Sequence, residues 1–311
     1  MRPLAVLGPT ASGKSAVALA LAERCRATGV DVEIVSVDAM QVYRQMDVGT
    51  AKPTREEKAR VPHHLVDLVD PSEEFTVARF QVECEAVRAE MTTRGAVPVF
   101  VGGTGLYVRA VVDELDIPGQ WPLIRARLEA EVDEAGVDGP YRRLVEFDPT
   151  AAAKIDPNNA RRVVRALEVI EGSGRAFSSF GPGVDTYPPT DVVQVGLRWS
   201  REVLARRIAE RVETMMQAGW LDEARRLAAG PLSRTAARAL GYHELFEHLA
   251  GRLALTDAID TIVLRTRQYA VRQERWFRRD PRIVWFDLDE GCHDPMGDVI
   301  DRIHTMWAGA D

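Results

Sequence analysis

Gly8-Pro9-Thr10-Ala11-Ser12-Gly13-Lys14-Ser15 is the stretch on which the fold turns. It satisfies the pattern GxxxxGK followed by Ser or Thr, between an apolar run ending at Leu7 and an Ala/Leu-rich stretch from Ser15 to Arg26. A strand entering a Gly-rich turn and then a helix aims backbone N–H groups at phosphate oxygens. Lys14 adds a point charge, and Ser15 offers a hydroxyl to a phosphate-bound Mg2+. The loop identifies a phosphorylated ligand without saying which one.

Working outward, residues 3 to 7 read as a short buried strand. A second apolar run, Val32 to Val37, ends at Asp38, and a third, Val97 to Val101, ends at Gly102-Gly103. This alternation of strand and helix predicts a three-layer α/β domain with a parallel sheet, whose ligands sit beyond the carboxyl ends of the strands. Asp191 to Trp199 and Ile283 to Phe286 are strand-like again. Between them Leu204, Ile208, Val212 and Met215 recur at three and four residues, an amphipathic helix with arginines beside its apolar stripe. From about Ile117 to Pro189 helical patterns dominate, and the Gly/Pro/Ser-rich tract Ser178 to Thr190 reads as a loop. The expected division is therefore a core of residues 1–116 and 191–311 with an inserted, mainly helical subdomain at 117–190.

Two further segments fall at strand ends. Asp38 is placed to ligate Mg2+ through water or to accept a proton, and taken alone it is equally a turn or helix-cap aspartate. Gly102-Gly103-Thr104-Gly105-Leu106-Tyr107 permits close backbone approach and presents the Thr104 hydroxyl; alone it is also a capped helix start. His243 and His248 are five apart and share no helix face, and there is no HExxH, so no protein-bound metal site is expected.

The 311 residues are 46% hydrophobic and 28% charged, enough to bury a full core. Cys25, Cys84 and Cys292 lie far apart, which argues against a disulfide framework or a zinc site and points to a reducing cytoplasm. The apolar stretch Leu4 to Leu7 is cut short by Gly8 and Pro9, and no run approaches the roughly 18 residues that span a bilayer, so neither a signal peptide nor a membrane anchor is expected. A formal net charge of -7 counts against a nucleic-acid partner, but the distribution is uneven. From Arg265 to Arg282 seven arginines face only Glu274 and Asp280, whereas acidic residues crowd Glu129 to Asp138. By itself such a run is as well explained by a solvated face.

Taken together, these segments resemble the bacterial tRNA dimethylallyltransferase (tRNA isopentenyltransferase) family over nearly the whole chain. The resemblance rests on Gly8 to Ser15, Asp38 with Gln41 and Tyr43, Met46 to Lys52 and Val101 to Tyr107. It continues through Pro157-Asn158-Asn159 with Arg162, Arg165, Ala166, Leu167 and Glu168, then Gly241-Tyr242, Arg267-Gln268-Tyr269-Ala270 and Arg272-Gln273. It implies a P-loop NTPase-like parallel sheet flanked by helices, with an inserted helical subdomain. It also implies transfer of dimethylallyl from dimethylallyl diphosphate to N6 of adenosine 37 in tRNAs reading UNN codons, by a cytoplasmic monomer.

Carried over residue by residue, Gly8, Pro9, Thr10, Ala11, Ser12, Gly13, Lys14 and Ser15 would hold the diphosphate, with Mg2+ at Ser15. Asp38 would be the general base, Thr104 would line the channel, and Arg207 would meet the diphosphate. Contacts to the anticodon stem-loop would come from Asp38, Ala39, Met40, Gln41, Thr104, Arg125, Arg161, Arg162, Arg165, Arg238, Gly241, Tyr242 and His243. The family usually has serine where this chain has Ala39, which puts one hydrogen bond in doubt. Rival readings are a small-molecule kinase or ATPase, since most such loops bind ATP or GTP, prenyl transfer to free AMP, and a nonenzymatic RNA-binding protein.

Overall fold

A computed structural model describes residues 1–181, 183–184, 186–288 and 293–309, so Cys292 and parts of the tract Ser178 to Thr190 lie outside the described residues. The chain opens with β1 (Leu4–Leu7), α1 (Lys14–Ala27), β2 (Val32–Val37), α2 (Arg55–Arg60), β3 (His63–His64), α3 (Val77–Arg94), β4 (Val97–Gly102) and α4 (Gly105–Val112). Four helices follow: α5 (Pro122–Ala135), α6 (Asp138–Phe147), α7 (Pro149–Ala152) and α8 (Ala160–Ser173). Then come β5 (Val193–Arg198), α9 (Arg201–Gln217), α10 (Trp220–Ala228), α11 (Arg234–Ala237), α12 (Tyr242–Leu249), α13 (Leu255–Phe277), β6 (Val284–Asp287) and α14 (Pro295–Ala308).

The six strands form one parallel sheet in the order β3-β2-β4-β1-β5-β6. A parallel sheet is covered on both faces, so its strands are mostly apolar rather than alternating, and the polar Glu33 on β2 is buried in pairs with Arg94 and His64. β1 and β2 are buried at every position. Successive side chains serve opposite layers. Ala5, Leu7, Val35, Val37 and Phe100 join a core that includes Phe80, Met91 and Tyr43. Leu4, Val6, Ile34, Val99, Val101 and Leu197 join the other, with Val17, Leu21, Ile208 and Trp307. Leu204, Ile208, Val212 and Met215 are all buried along α9, as their spacing predicts. The two-residue β3 is too short to leave a periodic signal and is absent from the sequence reading.

The sheet belongs to a compact unit of residues 1–112 and 189–311, and residues 113–188 form a second compact unit. The second unit has its own apolar centre, where Leu128, Leu144, Val163 and Leu167 are fully buried among α5, α6 and α8.

Candidate functional site

Register determines what meets at the carboxyl edge of the sheet. Leu7 on β1 pairs with Gly102 on β4 and Gly196 on β5, and Val37 on β2 also pairs with Gly102. Gly8, Asp38 and Gly103 therefore leave three neighbouring strands side by side. The three segments singled out from the sequence are brought together by this alignment.

The phosphate loop requires its glycines. Gly8 has φ 144°, and a Cβ there would stand 2.7 Å from the Leu197 carbonyl oxygen. Gly13 caps α1 in the left-handed region at φ 94° without a side-chain cap, so the first N–H groups of the helix face the ligand side with their partial positive charge. The Ser12 hydroxyl is buried with no hydrogen-bond partner among the described residues, an orphan polar atom that an anion's oxygens would satisfy.

Three cations converge here. The Lys14 ammonium donates to the Pro9 carbonyl at 2.8 Å. Burial, and then the charge of Arg211, bring Lys14 down to about 7, with Asp38 acting in the opposite direction. Arg207 donates through Nε to the Ala11 carbonyl at 3.0 Å and lies 4.8 Å over the Trp199 ring, whose Nε1 donates to the Ser12 carbonyl at 3.2 Å. Burial works against the charge of Arg211 while Asp38 supports it. Arg211 is a site residue that sequence reasoning missed. It lies one turn after Arg207 on α9, and that i, i+4 spacing is the signal by which it is found. Cations crowded until one loses most of its hold on a proton create a strong demand for an anion.

Asp38 closes its own turn: Oδ1 accepts from the amides of Met40 at 2.8 Å and Gln41 at 3.3 Å. The turn reading of this carboxylate therefore holds, at the end of β2 and beside the turn after β4. The Gln41 amide is spent within the protein, accepting from the Ser36 hydroxyl at 2.7 Å and donating to the carbonyls of Thr50 and Ala51. Its side chain organises the loop, a role the sequence reading did not assign. Farther along that loop, buried Glu223 accepts from the amides of Asp47, Val48 and Gly49 at 2.9 to 3.2 Å and from the Tyr242 hydroxyl at 2.5 Å.

The turn after β4 is equally tight. A Cβ on Gly102 would meet the Val37 carbonyl oxygen at 2.5 Å, and one on Gly105 would meet Trp276 at 2.2 Å. Thr104 hydrogen-bonds Tyr269, whose hydroxyl is pushed above the ordinary tyrosine range by burial and then by Asp38.

The remaining candidate residues lie elsewhere. Tyr242 is 1% exposed, and its ring packs edge-on to Trp220. Its ring and hydroxyl belong to the core, the hydroxyl donating to Glu223. Gly241 is buried as well, since a Cβ there would stand 2.2 Å from Trp220. Arg238 is exposed and His243 half-buried. In the basic stretch, Arg265 pairs with Glu244, Arg278 with Glu274 and Arg282 with Asp280. Within the second unit, Arg125 and Arg165 both pair with the fully buried Glu168, at 2.6 and 3.0 Å, while Arg161 and Arg162 stand exposed on the first turn of α8.

No group of three or more His, Cys, Asp or Glu side chains that could hold a metal ion occurs among the described residues. Among the described residues no helix is long and apolar enough to cross a membrane.

The family model described as IPP transferase matches residues 41–280, and the one described as isopentenyl transferase matches residues 1–64. A tRNA dimethylallyltransferase of Kineococcus radiotolerans is 50% identical over 296 residues, which cover 94% of this chain and 92% of that protein. The crystal structure of a tRNA isopentenylpyrophosphate transferase from Bacillus halodurans superposes with a TM-score of 0.71 at 41% identity, covering 99% of this chain and 96% of the other. A eukaryotic dimethylallyltransferase acting on tRNA gives a TM-score of 0.78 at 26% identity, over 97% of this chain and 77% of the other.

Proposed function

Since this chain belongs to the IPP transferase family, we propose that it transfers a dimethylallyl group from dimethylallyl diphosphate to N6 of an adenosine in tRNA, releasing diphosphate. The observation that carries this reading is the in-register emergence of Gly8, Asp38 and Gly103 from β1, β2 and β4, which sets a cation-rich anion cradle beside a carboxylate. Adenosine 37 of tRNAs reading UNN codons is the acceptor that the family implies.

The chemistry follows from the residues present. The N6 amine attacks C1 of the allyl group, the C1–O bond breaks, and the electron pair leaves with the diphosphate. Lys14, Arg207, Arg211 and the amides at the start of α1 face that growing negative charge, where preorganised charge lowers the barrier most. Asp38 takes the N6 proton. Mg2+ prefers a few oxygen ligands with retained waters, and the Ser15 hydroxyl, on the first turn of α1 beside the phosphate loop, would supply one of them. Bound there it would neutralise charge on the diphosphate. The acceptor base must leave its stack to reach the cradle. Arg161 and Arg162 on one unit and Arg238 on the other are exposed cations suited to RNA phosphate. The buried free cysteines Cys25 and Cys84 accord with a reducing cytoplasm, where the protein would act as a monomer.

One assay separates the alternatives: turnover of dimethylallyl diphosphate with Mg2+ and tRNA, beside AMP and ATP. Prenylation of tRNA with no consumption of ATP is expected. Steady ATP hydrolysis, abolished by Lys14→Ala and indifferent to tRNA, would establish a small-molecule kinase or ATPase instead.

A further inference from the structure

One side chain joins two of the three segments at the sheet edge. Gln273 on α13 is 6% exposed. Its Oε1 accepts from the Thr10 amide at 2.8 Å, and its Nε2 donates to the Gly103 carbonyl at 2.8 Å. The orientation of the amide is forced, because a backbone N–H can only donate and a carbonyl can only accept. Gly103 is shaped around it: a Cβ there would stand 2.4 Å from Nε2. One turn earlier on the same helix, Tyr269 hydrogen-bonds both Thr104 and Gln273.

We propose that Gln273 is a positioning residue for the transfer. It fixes the distance between the diphosphate cradle and the acceptor side of the site, where Thr104 and Asp38 stand. The inference rests on the dimethylallyl-transfer reading above. Its bond to Thr10 takes one amide of the loop out of ligand binding and sets the direction of the others. Its bond to Gly103 ties that loop to the turn after β4. In-line attack tolerates little misplacement, and an error of about 1 Å costs on the order of 100-fold in rate. Each loop would still bind its own ligand without the bridge; what is lost is their mutual placement.

The test compares the wild-type enzyme with Gln273→Met and Gln273→Glu. Gln273→Met keeps the volume and removes both hydrogen bonds. Its single-turnover rate at saturating substrates should fall by about 10- to 100-fold, with the affinities for inorganic diphosphate with Mg2+ and for tRNA within a few fold. A merely structural role would instead lower melting temperature, affinities and rate together. Gln273→Glu provides a chemical rescue. As a neutral acid it has one O–H to donate to Gly103 and one C=O to accept from Thr10, whereas the carboxylate repels the Gly103 carbonyl. The rate of Gln273→Glu relative to wild type should therefore rise as pH is lowered from about 9 to about 5, by up to tenfold per unit above the pKa of the new carboxyl. A ratio independent of pH, or a Gln273→Met enzyme near the wild-type rate, would overturn the proposal. Absence of transfer by the wild-type enzyme would overturn the functional reading and this proposal with it.

Discussion

At Asp38 the observed turn role and the proposed base role would share one carboxylate, and substitution separates them. Asn is about as good as Asp at accepting the turn amides, but it cannot take the N6 proton. Asp38→Asn should therefore keep the melting temperature and hold both substrate affinities within a few fold, while kcat falls by roughly 10² to 10⁴. Near-normal single-turnover transfer by this variant would disprove the base assignment. Lys14 makes a second residue-scale prediction. Burial and Arg211 hold its ammonium down to about 7, and the negative charge of a bound diphosphate would raise it again. Binding above that pH must then draw a proton from solution, so diphosphate affinity should be flat below about 7 and fall above it by up to tenfold per pH unit. Titration calorimetry in two buffers reads the proton uptake, and Lys14→Met should remove its share of the slope. The loop residues were legible because their spacing carries the chemistry. Arg211 carried a weaker signal, its i, i+4 spacing from Arg207 on a helix with several arginines, and its burial beside Lys14 and Asp38 is what marks it out. Burial also places the Tyr242 side chain in the core and pairs Arg125 and Arg165 with Glu168, facts that sequence spacing does not carry.

The elements differ in how openly they declare themselves. β2 and α9 could be read from apolar runs and helical periodicity, since a strand buried on both faces is mostly apolar and admits a charge such as Glu33 only where it is paired. The loop from Asp38 to Lys52 has no period, and its shape is dictated by partners far along the chain. Glu223, on α10, gathers three successive amides of that loop and the Tyr242 hydroxyl around one buried carboxylate. Glu223→Gln replaces an acceptor oxygen with an NH2 that faces donors, orphaning at least one buried group at about 1–3 kcal/mol. The variant should melt earlier, and hydrogen exchange should show the amides of Asp47, Val48 and Gly49 losing protection. Retained protection there would mean that the carboxylate is not what holds the loop.

At the scale of the whole molecule, a net charge of -7 conceals where the cations are. Three arginines of the basic stretch, Arg265, Arg278 and Arg282, are paired within the protein, so exposed arginines such as Arg161 and Arg162 carry more of the expected attraction to RNA. The affinity for tRNA should fall with salt by about 0.7 to 0.9 log units per phosphate contact. Replacing Arg161 and Arg162 together by Gln should flatten that slope by up to two contacts, and an unchanged slope would return them to plain solvated positions. The order of strands has a further consequence during synthesis. β1 lies between β4 and β5, yet β5 begins only at Val193, after residues 113–188. Until then the emerging chain carries one flank of an apolar strand bare, with its backbone donors and acceptors open to any other extended segment. At about 5–20 residues per second the missing neighbour follows β4 out of the ribosome by roughly 4 to 18 s. The contacts that complete the phosphate cradle, from Leu197, Trp199, Arg207 and Gln273, arrive later still. The nascent protein is thus most vulnerable to misassociation along the very strand that feeds its ligand loop, and the loop gains its full set of supports only after Gln273 has emerged.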